Sequence, residues 1–167
     1  MKKILLTLTL LSSTAFADIS QFIGQYTLTS KNEVADAECF SNLKISSEAG
    51  SVTLTQLYSP STGNVFDGSP VSTSLLVVAL LNGPEREYDG DHDVMSKTKH
   101  YDKATLSNGV LKLSERYAER AMGIPLALVW YTNSFAQPDA AGVMKAKRSV
   151  QVNLSNKTSQ CVYKKVK

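Results

Sequence analysis

Aromatic residues make up only 8% of this chain, and tryptophan occurs once, at position 130. Content that sparse does not supply the rings of aromatics with which an outer-membrane barrel marks its two interfaces. Charge of either sign is nearly balanced, at +3 over 167 residues, and Lys2 and Lys3 carry part of that excess. Past residue 17 about one positive charge remains, too little to attract a phosphate backbone over distance, so nucleic acid is not an expected partner. Long hydrophobic runs are missing too. The run at residues 75–81 falls far short of the roughly 20 residues a membrane helix needs.

Histidine occurs only at positions 92 and 100, and cysteine only at 39 and 161. Neither cysteine has a histidine or second cysteine at ligand spacing, so no metal centre is expected. No Gly-x-Ser-x-Gly elbow occurs, and no serine stands at a recognisable spacing from a base. No catalytic residue and no cofactor are therefore assigned.

What is present begins with an export signal. Met1-Lys2-Lys3 is a short basic start, residues 4–11 are apolar, and Ala15 and Ala17 are the small residues a signal peptidase reads. Cleavage after Ala17 gives residues 1–17 as signal peptide and 18–167 as one domain beginning at Asp18. That places the protein in the periplasm or outside the cell, with no transmembrane segment after processing. In such an oxidising space two thiols pair, so a Cys39–Cys161 disulfide is expected. A domain of about 150 residues builds a sizeable core without it.

The mature sequence reads as strands nearly throughout. In residues 22–29, Phe22, Gly24, Tyr26 and Leu28 share one face and mostly polar residues the other, the period of a half-buried strand. Residues 39–46 and 51–58 are further strands joined by a short polar turn. The run 75–81 is expected to be covered on both faces. Asn108-Gly109 between apolar alternations marks a hairpin. Residues 114–122 are rich in helix formers without an apolar stripe, and read as a helix or as a continuation of the strand from Val110. Residues 124–131, 149–154 and 160–166 complete the set. About eight strands at short spacing predict an all-β antiparallel up-and-down barrel, with a β-sandwich as the alternative.

Residues 82–97 and 133–145 break this rhythm and read as long loops, where binding residues concentrate. The first contains Asp89-Gly90-Asp91-His92-Asp93. This acidic pentapeptide lacks the glycine and glutamate of a calcium loop, and reads as a solvated turn. Lys145, Lys147 and Arg148, echoed by Lys164, Lys165 and Lys167, read as a solvated edge or as an anion-facing surface. Trp130 ends an apolar strand, where a lone tryptophan serves as core packing or as a cavity wall.

Gly24-Gln25-Tyr26 on the first strand, with the chain size and overall layout, resembles the lipocalin-like, or calycin, barrels. In that resemblance Gly24 matches the glycine of a Gly-x-Trp motif and Tyr26 stands in the tryptophan's place. It implies an exported, non-catalytic protein that binds a small apolar ligand inside the barrel, with Tyr26 and Trp130 at the site. Two alternatives stand beside it. One is an interaction module or inhibitor of an exported enzyme, working through the surface loops on a protein partner. The other is a hydrolase with a site assembled from distant residues.

Overall fold

The computed structural model describes residues 18–58, 72–90, 96–121 and 124–166. The expected signal segment, residues 1–17, lies outside the described residues, as do Asp91, His92, Asp93 and Lys167.

Among the described residues a short 3-10 helix, Ile19–Phe22, leads into ten strands. They are β1 Gly24–Asn32, β2 Asn42–Glu48, β3 Ser51–Tyr58, β4 Ser72–Leu80, β5 Arg86–Asp89, β6 Ser96–Ser107, β7 Val110–Ala121, β8 Ile124–Ala136, β9 Val143–Val152 and β10 Ser155–Lys165. All belong to one antiparallel sheet in the order β4-β3-β2-β1-β10-β9-β8-β7-β6-β5. This is an up-and-down, nearly closed barrel with ten strands where about eight were expected, and the sandwich alternative does not occur. β5 lies inside the expected loop 82–97, and β8 and β9 extend into the expected loop 133–145, leaving only 137–142 between them. Residues 114–121 continue β7. Their helical propensity yields because β7 pairs with β6 on one side and β8 on the other.

Tight turns at 49–50 and 108–109 and the loop 137–142 lie at one end of the barrel; loop 33–41 and turn 153–154 lie at the other. Asn108 and Gly109 take φ of 50° and 70°, the left-handed pair that matches strand twist in a two-residue hairpin. Gly24 has φ of 152°, a backbone conformation that residues with a Cβ rarely adopt, so the first strand begins at a position that favours glycine.

Strand alternation turns Tyr26, Leu43, Ile45, Val52, Leu54, Val77, Leu111, Leu113, Phe135, Met144 and Tyr163 inward, and all are buried. With Phe22 they fill the end of the barrel near the tight turns. Large side chains there pack into one buried cluster. The run 75–81 is not covered on both faces. Val77 and Ala79 are buried, whereas Leu75 and Leu80 are exposed, because β4 has barrel interior on one side only.

The Cys39–Cys161 disulfide is formed, with Cα atoms 5.9 Å apart across 122 residues. Cys39 sits in the loop before β2, not on a strand, and Cys161 on β10. The sheet's two end regions meet at a seam. Leu81 bridges Ala104 in parallel, and the Asn82 N–H donates to Ala104 O at 2.9 Å. Asn82 Oδ1 accepts from the Leu106 N–H at 2.8 Å, Asp102 Oδ2 from the Val78 N–H at 2.9 Å. Side chains therefore satisfy backbone groups that a ladder would otherwise pair.

Candidate functional site

Toward the end with loop 33–41 the interior changes character. Inward positions on β5 to β9 now carry Tyr88, His100, Asp102, Glu115, Tyr117, Tyr131, Asn133 and Arg148, brought level by the register of neighbouring strands. The rings form a belt. Tyr88 stacks on His100 at 5.0 Å, His100 lies 5.9 Å from Tyr117, and Tyr117 lies 6.0 Å from Tyr131. Arg148 continues it, with its guanidinium 5.5 Å from the Tyr131 ring and 4.1 Å from that of Phe40.

Three charged side chains punctuate the belt. His100 Nδ1 lies 3.0 Å from Glu115 Oε1. Asp102 is 2% exposed, and burial pushes its carboxyl up to about 6 against the Val78 hydrogen bond that lowers it. Its Oδ1 has no hydrogen-bond partner. Tyr88 is raised to about 12, first by burial and then by the negative charge of Asp102 and Glu115. Arg148 donates from Nη1 to Asn133 Oδ1 at 3.2 Å, while its buried Nε finds no partner. Burial pulls this guanidinium below its ordinary value, opposed by the Tyr163, Tyr131, Glu38 and Glu115 fields.

Phe40, Gln56, Leu76, Glu115, Tyr131 and Arg148, with Val77 and Asn133, line a pocket of about 190 Å³. Phe40, Leu76, Val77 and Tyr131 are its apolar and aromatic lining, and the rest presents one cation, one anion and two amides. That is below the roughly 300–1,000 Å³ of sites for drug-sized ligands, and suits a small charged molecule. Among the described residues no cluster of three metal-ligating side chains occurs.

Tyr26 and Trp130, the residues expected at a ligand site, are not in the lining of this pocket. Tyr26 is fully buried in the filled end, where its hydroxyl donates to Phe22 O at 2.9 Å and burial raises it to about 12. Trp130 is 41% exposed on the outer face of β8, beside Lys112, Thr132 and Lys147 in a shallow groove of about 380 Å³. Strand parity decides this, since Val129, Tyr131 and Asn133 take the inward positions. The same parity splits the basic cluster: Lys145 and Lys147 point out, while Arg148 turns in with Met144 and Val150.

His100 does meet carboxylates, the arrangement expected of a hydrolase. Yet it does not line the pocket, and its Nε2 lies against Gly90, 2.7 Å from where a Cβ would stand. Glu115, Asn133 and Arg148 were not singled out as an interior group from sequence. Their signal was period-two alternation with buried neighbours, readable once strand pairing is known.

Among the described residues no helix is long and apolar enough to cross a membrane. No protein family, curated protein or solved structure matches the chain.

Proposed function

We propose that this chain is an exported, non-catalytic binding protein of the lipocalin-like kind, whose small ligand binds among the polar side chains of the barrel interior. The pocket carries the reading: a concave site with an apolar wall and a few convergent polar groups, set on rigid strands. Gly24 and Tyr26 on β1 and the up-and-down order support the family likeness. The disulfide supports an oxidising compartment, periplasmic or extracellular. The filled end of the barrel argues for a ligand smaller and more polar than a wholly apolar one.

The test uses native mass spectrometry of protein exposed to a small-molecule extract. A bound adduct is expected on the unaltered protein and is lost in Gln56→Trp, which fills the pocket from β3. Identical adduct-free spectra for both proteins overturn the reading.

A second reading, an interaction module or inhibitor, draws on one observation. Leu154 stands wholly exposed at the β9–β10 turn, and Val34 and Val152 at the same end are each 42% exposed. Apolar side chains on protruding turns are what a protein partner covers.

A further inference from the structure

Arg148 and Glu115 both line the pocket of about 190 Å³, one from β9 and one from β7. Among the described residues no carboxylate forms an ion pair with Arg148. Its contacts are two ring faces and one neutral amide, and its Nε is buried without a partner. A half-buried cation with no carboxylate on it is open to an anion, because rings and an amide only partly offset the water it has given up. Glu115 is anchored by His100 on one oxygen. The same small pocket thus holds both charge signs, unjoined to each other, beside Phe40, Leu76 and Tyr131.

A monoanion satisfies Arg148 but brings a second negative charge to Glu115. A monocation has the opposite fault. A molecule carrying both charged groups on one carbon meets neither penalty. We propose that the pocket takes a small zwitterion of the α-amino-acid type. Its carboxylate lies against Arg148, its ammonium toward Glu115, and its apolar side chain on Phe40, Leu76 and Tyr131. The guanidinium fork suits a carboxylate in two parallel hydrogen bonds. This inference rests on the binding reading above, and narrows it to one ligand class.

The test is calorimetric titration with L-leucine and L-phenylalanine, against 3-phenylpropionate, which lacks the ammonium, and phenethylamine, which lacks the carboxylate. An amino acid is expected to bind at least about tenfold tighter than either truncated probe, since a site built for a polar group rejects the analogue without it. Arg148→Met should abolish amino-acid binding, and Arg148→Lys should keep part of it, which separates lost charge from lost folding. Glu115→Gln should bring 3-phenylpropionate level with phenylalanine. If 3-phenylpropionate already binds the unaltered protein as tightly as phenylalanine, and depends on Arg148, the zwitterion is overturned while the pocket remains a binding site. If no probe binds but the Gln56-dependent adduct is found, the zwitterion is likewise overturned and the pocket reading stands. Absence of both binding and adduct removes the two together.

Discussion

Asp102 shows what one residue does to this barrel. It has to stay on the seam to receive the Val78 N–H, yet burial makes its charge costly and moves its carboxyl up to about 6. Because that value lies above the unfolded one, the folded state holds the extra proton between about pH 4 and 6, and stability falls as pH rises through that window. Around the carboxyl, Glu115 pushes the same way, while Arg86 and His100 oppose it. The expected size is roughly 3 kcal/mol from this group. Asp102→Asn keeps an acceptor for Val78 and should flatten that slope, as read by urea unfolding at pH 4, 5, 6 and 7. An unchanged slope sinks the argument. Such residues were hard to read in advance. Asp102 sits amid Lys99, His100, Tyr101 and Lys103, a polar stretch whose local sequence suggests solvent. Only pairing with β5 and β7 and approach to β4 bury it. Tyr26 was legible as an inward residue, but not the filling of the space around it, which depends on side chains from eight other strands.

At the scale of elements, the hairpins were the most legible part. Asn108-Gly109 encodes its own backbone, and the turn appears where expected. Gly109→Ala should cost about 1 kcal/mol, because φ of 70° strains any residue with a Cβ. The new methyl would stand 3.4 Å from Gln137 Oε1, so the cost is mostly conformational. Equal denaturation midpoints for the two proteins would falsify this. The expected loop at 82–97 hid β5 because Arg86–Asp89 is short, charged and at the sheet's end, where alternation is weakest. The far half of β7 stayed ambiguous between strand and helix because Glu115, Arg116, Ala118 and Glu119 favour a helix in isolation. Their burial pattern belongs to the sheet: Leu111, Leu113, Glu115 and Tyr117 occupy one face at a spacing of two. In a pattern that mixes leucine with glutamate, hydrophobicity alone does not report that face.

For the molecule as a whole, the all-β barrel and its disulfide followed from composition, turn signals and compartment, whereas the strand count and the polar interior required long-range pairing. β1 meets β10 across nearly the full described chain, and Cys39–Cys161 fixes that closure covalently. Replacing both cysteines with serine should lower stability by about 2 to 5 kcal/mol, measured by urea unfolding of the folded variant. A variant as stable as the original would show the bond to be idle. The same bond gives the chain the connectivity of a ring, for β2 to β9 lie wholly between the two cysteines. One peptidase cut within that span opens the ring but releases no fragment, and both new ends stay on one molecule. Two cuts are needed before anything leaves. In the exported space proposed for it, where proteases are met without a cell's repair machinery, the first cleavage would be a scar rather than a loss.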